Sequence, residues 1–249
     1  MTQDPTKIRN VAIIAHVDHG KTTLVDGLLK QSKTFRDNQA EMNQDLIMDS
    51  GDQERERGIT ITAKVTAVQD GDYRINIIDT PGHADFSGEV ERTINMADGC
   101  LIIVDAQEGP MPQTKFVLGK ALANELKPIV VINKIDKQGT RLAEVENEIA
   151  DLFLELAVHE KQLNYPIYYA VGREGKAWAS PPTNLDEPGD LAVIFKAIID
   201  EIPAPDVESD KPFQMLVSAL AWDRFKGKYA IGKIKRCLLY TSPSPRDCS

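Results

Sequence analysis

The sequence predicts an α/β fold in which a mostly parallel sheet carries helices on both of its faces. Short apolar runs of strand length alternate along the chain with segments whose apolar residues recur at the helical period. Continuous apolar runs are typical of strands that are buried on both faces, as in a parallel sheet. The 249 residues, of which 42% are hydrophobic and 27% charged, suffice for one large domain and part of a second.

Most of the apolar runs are followed by a helical segment, which is the order of repeated strand–helix units. The strands are predicted at 11–15, 75–78, 101–104, 129–132 and 167–169, and the helices at 22–30, 89–96, 113–124, 141–157 and 191–202. At 59–68 apolar residues alternate with Thr and Lys, which indicates an edge strand. We expect this strand to pair antiparallel with 73–78 through the turn Asp70-Gly71.

The chain is predicted to divide at a proline-rich segment. Residues 1–202 form the α/β domain, and residues 203–212, with three prolines among acidic and small residues, form a linker. Two β-type runs, 213–221 and 229–235, lie in the region 213–236. Two strands neither close a barrel nor bury a sheet face, so 213–236 is expected to be the beginning of a truncated β domain.

Residues 237–249 differ in character from everything before them. One interpretation is a disordered terminus rich in Ser and Pro. We favour a second, because residues 237–247 resemble a translated transposase sequencing adapter whose codons encode them in order. On that interpretation the tail is not native, and the natural protein continues past Arg236.

Composition and charge narrow the class of partner and the compartment. A net charge of −9 excludes a surface that coats nucleic acid as a whole, and no DNA partner is expected. The N-terminus lacks an apolar signal core and the apolar runs are too short to cross a bilayer, so no membrane partner is expected. Cys100 precedes an apolar strand and is expected to be a buried small side chain. A monomer in a reducing cytoplasm is expected.

The segment Ala15-His16-Val17-Asp18-His19-Gly20-Lys21-Thr22 matches the phosphate-binding loop, with Ala in place of the usual first Gly. Such a loop joins a strand to a helix and turns its N–H groups and the positive helix end toward phosphates. Lys21 is expected to bridge the β- and γ-phosphates, and Thr22 to hold Mg²⁺. The expected nucleotide contacts are Asp18, His19, Gly20, Lys21, Thr22 and Thr23. A Gly-Lys-Thr at an ordinary helix start is the alternative, which the following motifs disfavour.

Asp79-Thr80-Pro81-Gly82-His83 closes an apolar strand and has the parts of a γ-phosphate sensor. Asp79 is expected to reach the Mg²⁺ shell through water, and the Gly82 N–H to contact the γ-phosphate. His83 is the candidate catalytic residue that orients the attacking water, with a structural role as the alternative. No arginine is an evident cis finger, so intrinsic turnover is expected to be slow.

A second Mg²⁺ ligand is predicted upstream, in Arg57-Gly58-Ile59-Thr60-Ile61. The Thr60 hydroxyl is expected to bind the metal when GTP is present and to release it with GDP. A β-turn leading into a strand is the alternative for this segment.

Asn133-Lys134-Ile135-Asp136 follows another apolar strand and indicates a guanine-binding site. Asp136 is expected to accept from the N1 and N2 hydrogens of guanine, a donor pair that adenine lacks, so the site selects GTP over ATP. Asn133 and Lys134 are expected to brace the ring and the phosphate loop.

A Ser-Ala turn that contacts guanine O6 is expected near 169–172. Val171 stands where the Ser would be expected. The backbone N–H groups of Ala170 and Gly172 are the remaining candidates for this contact.

Together these segments resemble the BipA/TypA family of translational GTPases. Besides the four motifs, the match includes Met48-Asp49-Ser50, Glu54-Arg55-Glu56-Arg57, Asp85-Phe86, the segment 88–92 and the segment 108–114. The resemblance covers Lys7 to Arg236.

The resemblance implies a P-loop NTPase G domain, followed by a β-barrel domain II that starts at Phe213. It implies a ribosome-binding GTPase linked to stress responses and large-subunit assembly, with GTP or GDP and Mg²⁺ as ligands. By the same resemblance, Asp18 helps to hold a monovalent cation, and Val17 and Ile59 form an apolar gate beside His83. Large-subunit RNA of the ribosome is the implied activator that moves His83 into place.

The leading hypothesis is a GTP hydrolase whose nucleotide state controls ribosome engagement. A second hypothesis is a truncated module that binds GTP or GDP and barely turns it over. A third is another translational factor, such as an elongation factor G-like translocase, which shares all four motifs. The short stretch between Gly58 and Asp79 and the Pro-Met-Pro-Gln-Thr segment at 110–114 favour the BipA-like choice.

Overall fold

Alternating strands and helices form the first of two units in the computed structural model, which describes residues 4–31, 64–81, 87–223 and 227–238. The first unit ends at Ala204 and the second begins at Pro205. The strands of the first unit are β1 Ile8–Ala15, β2 Lys64–Asp70, β3 Tyr73–Asp79, β4 Gly99–Asp105, β5 Lys127–Asn133, β6 Ile167–Val171 and β7 Lys176–Trp178. Its helices are α1 Lys21–Gln31, α2 Ser87–Ile94, α3 Pro112–Ala123, α4 Leu142–Leu156 and α5 Ala192–Glu201.

A seven-stranded sheet forms the centre of the first unit, in the order β2-β3-β1-β4-β5-β6-β7. The pairs that join β3, β1, β4, β5 and β6 are parallel, whereas the edge strands β2 and β7 pair antiparallel. β4 is buried along its whole length, as expected of a central strand. The predicted α/β class with a mostly parallel sheet is confirmed.

Helices cover both faces of this sheet. Successive strand residues point to opposite faces, and Ala12, Ile13 and Ile14 of β1 are all buried. One core cluster joins Ile13 to apolar side chains of α1 and α5, among them Leu28 and Phe195. α3 contacts β1 and β4 and packs between α2 and α4. The strands are thus held between two helical layers, and their ends are left to form loops.

The carboxyl ends of the parallel strands meet at one edge of the sheet. Ala15, Asp79, Asp105 and Asn133 are the last residues of β1, β3, β4 and β5. In the register, Asp105 lies opposite Asn133. Ligands of open α/β sheets bind at this edge, so the loops that follow these residues define where a site is expected.

The predicted elements of the first unit are present, with ends that differ by a few residues. β2 covers the second half of the predicted edge strand at 59–68 and pairs antiparallel with β3, while residues 59–63 lie outside the described residues. The three-residue strand β7 was not predicted, because it is too short to show a period. The short 3-10 helices at Pro5–Lys7, Glu160–Leu163 and Gly172–Glu174 were not predicted either.

The second unit contains a three-stranded sheet in the order β8-β10-β9. β8 is Glu208–Pro212, β9 is Gln214–Asp223 and β10 is Gly227–Leu238. β9 and β10 pair antiparallel, and β8 pairs parallel with β10 at the edge. β8 occupies the last part of the segment 203–212 that was predicted to be a linker, and the two units divide within that segment. Proline has no backbone N–H to donate. An edge strand tolerates Pro212 because the backbone groups on its outer side need no partner in the sheet.

Two details of the second unit bear on the predicted tail and on burial. β10 runs past Arg236 to Leu238, into the segment that was predicted to be non-native. Leu220 and Trp222 on β9 are exposed over 82% and 68% of their surface.

Among the described helices of the chain, none has both the length and the apolar character that a bilayer span requires.

Candidate nucleotide-binding site

The phosphate loop, residues 16–20, joins β1 to α1 at the carboxyl edge of the sheet. Its backbone turns at Asp18 and Gly20, which have φ angles of 65° and 85°. The Leu24 N–H donates to the Gly20 carbonyl at 3.0 Å, which starts the helical hydrogen bonding of α1. The first turn of α1 and the positive end of its helix dipole therefore face the loop, which suits an anion.

Gly20 is required by both its backbone angle and its surroundings. A positive φ of 85° is strained for any residue with a Cβ. A Cβ atom at this position would also overlap Nδ2 of Asn133. The loop can therefore approach the end of β5 closely only with glycine at this position.

Lys21 and Asp79 meet at the ends of β1 and β3. The Lys21 Nζ lies 2.7 Å from Asp79 Oδ1 and donates to the Thr80 carbonyl at 2.9 Å. Both side chains are largely buried. The Thr80 hydroxyl donates to the Ile13 carbonyl and fixes the start of the segment after β3. The structure thus brings together the lysine of the phosphate loop and the carboxylate that sequence assigned to the metal shell.

Asn133 joins the phosphate loop to the turn that follows β6. Its Nδ2 donates to the His19 carbonyl at 3.0 Å, and its Oδ1 accepts from the Gly172 N–H at 3.0 Å. The side chain is buried. The sequence offered the Gly172 N–H as a contact for guanine O6, whereas in the structure this group is engaged by Asn133. Val171, which stands where a Ser was expected, has no hydroxyl that could form a hydrogen bond in this turn.

Asp105 is a buried carboxylate that the motif search did not identify. Lys134, whose φ is 63°, places its Nζ 2.9 Å from Asp105 Oδ2, and Lys137 Nζ donates to the same oxygen at 3.1 Å. Burial raises the pKa of Asp105, but hydrogen bonds from Lys134, the Gln107 N–H and Lys137 outweigh it, so the pKa falls to about 2. One signal was available: Asp105 closes an apolar strand as Asp79 does.

His19 connects the phosphate loop to the loop after β4. Its ring is fully buried, and Nδ1 accepts from the Asp105 N–H at 3.3 Å. The proton therefore resides on Nε2, which lies 3.2 Å from Glu108 Oε2. Burial, followed by the charge of neighbouring His16, lowers the pKa of His19. A neutral His19 ring thus supports the loop, and its carbonyl, rather than its ring, contacts Asn133.

A cavity of about 280 Å³ lies between the phosphate loop and the loops after β5 and β6. Asp136 lines it with a side chain that is 23% exposed, and its Oδ2 lies 3.2 Å from Nη2 of Arg173. The cavity-lining residues are Gly20, Thr23, Asn133, Lys134, Asp136, Lys137, Gly172 and Arg173. Arg173 is a lining residue that sequence reasoning missed, because nothing in its local sequence connects it to Asp136.

Several predicted site residues are not part of the described structure. Thr60, Gly82 and His83 lie outside the described residues. Thr22 lies in the first turn of α1, next to Lys21. In the described parts of the chain, no group of three or more His, Cys, Asp or Glu side chains is arranged to hold a metal ion.

The chain is similar in sequence to several known proteins. Residues 6–204 match the family described as the elongation factor Tu GTP binding domain. The large ribosomal subunit assembly factor BipA of Escherichia coli strain K12 is 55% identical over 230 residues, which is 92% of this chain and 37% of that protein. The BipA of Haemophilus influenzae is 52% identical over 233 residues, 94% of this chain and 37% of that protein. A TypA-like chloroplast protein of Arabidopsis thaliana is 50% identical over 242 residues, 97% of this chain and 35% of that protein.

Solved structures give the same class of neighbour. A bacterial selenocysteine-specific elongation factor, EF-Sec, is similar with a TM-score of 0.67 and 25% identity, over 92% of this chain and 35% of that one. The elongation factor SelB of Methanococcus maripaludis, solved with the GTP analogue GppNHp, has a TM-score of 0.63 and 25% identity, over 91% and 41% of the two chains. The chain spans 37% of the length of the bacterial BipA relatives.

Proposed function

The chain belongs to the family of the elongation factor Tu GTP binding domain, in its BipA/TypA branch, and from this premise we propose that it binds GTP and hydrolyses it to GDP and phosphate. The observation that carries the proposal is the Asn133 clamp, which joins the phosphate loop, the guanine motif and the turn after β6 around one cavity. In the whole protein, the bound nucleotide controls engagement of the ribosome, with large-subunit RNA as the activator.

Phosphate binding rests on the loop between β1 and α1. Helix N–H groups and the helix dipole stabilise the phosphates, and Lys21 supplies a positive charge next to them. In the structure Lys21 Nζ contacts Asp79 and the Thr80 carbonyl, so it exchanges at least one of these partners for a phosphate oxygen when the nucleotide binds.

The donor set near Lys21 fits Mg²⁺. The carboxylate of Asp79 and the hydroxyl of Thr22 are oxygen donors at the end of β3 and the start of α1, and hard cations prefer oxygen. Mg²⁺ keeps several waters in its coordination shell and binds few protein ligands. Asp79 and Thr22, with Thr60 as a third residue, would supply that small number of ligands. A bound Mg²⁺ would neutralise part of the phosphate charge.

A monovalent cation near Asp18 is less well supported by the residues present. The Asp18 carbonyl accepts from Lys134 Nζ and therefore already faces a positive charge. The carboxylate alone does not make a site, and we assign this cation no role.

Base selection rests on Asp136. Its carboxylate lines the cavity and accepts from the N1 and N2 hydrogens of guanine, whereas adenine leaves it unpaired. Such a site discriminates by roughly four orders of magnitude.

Hydrolysis requires an aligned water and charge stabilisation rather than covalent help from the protein. We assign the alignment of the water to His83, which ribosomal RNA positions. Without that partner the reaction is slow.

The function is tested with purified chain, GTP and large ribosomal subunits. We expect saturable binding of fluorescent GDP and GTP, no binding of ATP, and phosphate release that rises when ribosomal subunits are added. Loss of guanine-nucleotide binding would overturn the proposal. Binding with a flat response to ribosomes would reduce it to a nucleotide-binding module.

A further inference from the structure

One of the two backbone donors expected for guanine O6 is already engaged in this site. The expected donor is the turn after β6, and the Gly172 N–H in that turn donates to Asn133 Oδ1 at 3.0 Å. Neither Val171 nor Gly172 carries a polar side chain. A base held by Asp136 through N1 and N2 would therefore present O6 to a part of the cavity where a side-chain donor could make the contact that the Gly172 N–H does not.

Arg173 follows this turn directly and lines the same cavity. Its Nη2 lies 3.2 Å from Asp136 Oδ2. On the guanine ring, O6 is bonded to the carbon next to N1, so a donor beside the carboxylate that accepts from N1 is also beside O6. Arginine reads this edge in nucleic acids, where its guanidinium donates to O6 and N7 of guanine.

The position of the Arg173 backbone is set by a short helix, whereas its exposed side chain can change conformation. It lies in the 3-10 helix Gly172–Glu174, which ends at Gly175 with a φ of 68°. The neighbouring Glu174 carboxylate pairs with Lys176 at 2.9 Å, whereas Arg173 pairs with Asp136. The Arg173 side chain is 79% exposed, so a small rotation into the cavity meets no packed core.

We propose that Arg173 is a specificity-determining residue that donates to the O6 edge of the bound guanine, in place of the missing turn contact. Its ion pair with Asp136 keeps the guanidinium at the cavity when the site is empty and beside the base when the site is filled. This inference rests on the proposed function, because it concerns the guanine nucleotide that the site is proposed to bind.

The test compares GDP with 6-thio-GDP, in which sulfur replaces O6 and accepts hydrogen bonds weakly. Dissociation constants of both ligands are measured for the full chain and for Arg173→Ala, Arg173→Lys and the control Arg92→Ala. Arg92 is an exposed arginine on α2 that pairs with Glu89 and does not line the cavity. Melting temperatures of the variants check that the fold is retained.

We expect Arg173→Ala to weaken GDP binding about tenfold and 6-thio-GDP binding much less, so that the preference for GDP falls toward one. Arg173→Lys should keep part of the preference, because a single ammonium replaces the planar fork. Arg92→Ala should bind both ligands as the parent chain does.

Two outcomes would overturn the inference while leaving the proposed function intact. An unchanged preference in Arg173→Ala would make the contact a surface ion pair without a role in recognition. Tighter GDP binding in Arg173→Ala would mean that the arginine competes with the base for Asp136. A parent chain that fails to bind GDP at all would instead overturn the proposed function, and the inference with it.

Discussion

At the scale of single residues, Asp136 carries the selection of the base. Asp136→Asn replaces an acceptor pair with one acceptor and one donor, which suits the O2 of xanthine better than the N2 amino group of guanine. We expect the preference for GDP over xanthosine diphosphate to invert, measured as the ratio of their dissociation constants. Since the substitution also removes the ion pair with Arg173, the double variant with Arg173→Ala serves as the control. An unchanged ratio would refute the role of Asp136.

His83 is the residue whose role is proposed from its position alone. His83→Ala should leave the dissociation constant of GDP within about twofold, because a water-orienting side chain contributes to the transition state and not to ground-state binding. Ribosome-stimulated phosphate release should fall by roughly a hundredfold or more, the range for a positioned histidine. Lys21→Ala is the matched control, since it should lose binding as well. A large loss of GDP binding in His83→Ala would show that the residue is structural.

The residues that sequence reasoning found are those whose chemistry is local. Lys21 and Asn133 each lie in a motif in which spacing alone indicates a role. The contacts of Arg173 and Asp105 became apparent only in the structure. Arg173 and its partner Asp136 are 37 positions apart, and Asp105 and its partner Lys137 are 32 positions apart. A contact between loops depends on the register of the whole sheet, and no short pattern encodes it.

At the scale of elements, three strand-end loops interlock through Asp105. Its N–H donates to His19 of the phosphate loop, and its carboxylate accepts from Lys134 and Lys137 of the loop after β5. Arg141, at the start of α4, donates to the carbonyls of Gln107 and Glu108 and so holds the loop after β4 in place. The phosphate loop and the loop after β5 are therefore both held by a residue that does not line the cavity.

Asp105→Asn tests this arrangement. The variant keeps the shape of the side chain and the N–H to His19 but loses the charge that holds two lysines, so the free energy of unfolding should fall by about 2 kcal/mol at neutral pH. Urea unfolding measures the change, with Asp151→Asn on an exposed part of α4 as the control. GDP affinity should fall in the same variant, because Lys134 loses its anchor. Equal stability of Asp105→Asn and the parent chain would contradict the proposed coupling.

The stability difference between the parent chain and Asp105→Asn should also depend on pH, in a direction that the pKa of Asp105 determines. The pKa of Asp105 is lowered from 3.8 to about 2 in the folded chain. Its ionised form therefore contributes its full stabilisation above pH 3.8, and the contribution is lost as the pH falls toward 2. The stability difference between the parent chain and Asp105→Asn should be constant at higher pH and shrink below about pH 4. A difference that grows on acidification would show that other groups dominate.

Most elements of the first unit were predictable because they bury an apolar face. The helices that the structure describes and the buried strands carry continuous or periodic apolar patterns, and tertiary packing follows those patterns. The strands that sequence missed, β7 and β8, have few residues and lie at sheet edges. Half of their backbone groups need no partner within the sheet, so few constraints act on their sequence.

At the scale of the whole molecule, charge is distributed unevenly. The chain has a net charge of −9, yet Lys134, Lys137 and Arg173 line the cavity that is proposed to hold the base. Lys21 lies at the adjoining phosphate loop. Each of these cations lies beside a carboxylate: Lys134 and Lys137 beside Asp105, Arg173 beside Asp136, and Lys21 beside Asp79. The cavity is therefore lined by ion pairs, and the overall negative charge opposes non-specific binding to RNA. The proposed binding to the ribosome would therefore need a restricted surface that is less negative than the chain as a whole.

The two units should also differ in stability. The first has a core that includes a seven-stranded sheet, whereas in the second a three-stranded sheet leaves Leu220 and Trp222 exposed. Trp178, 8% exposed, reports on the first unit, and the exposed Trp222 reports on the second. With Trp222→Phe and Trp178→Phe as single-tryptophan variants, we expect iodide to quench Trp222 strongly and Trp178 weakly. In urea, the Trp222 signal should change at a lower urea concentration than the Trp178 signal, because a small three-stranded sheet with large apolar side chains exposed is marginally stable. Coincident transitions of the two signals would show that the units unfold together and that the second gains its stability from the first.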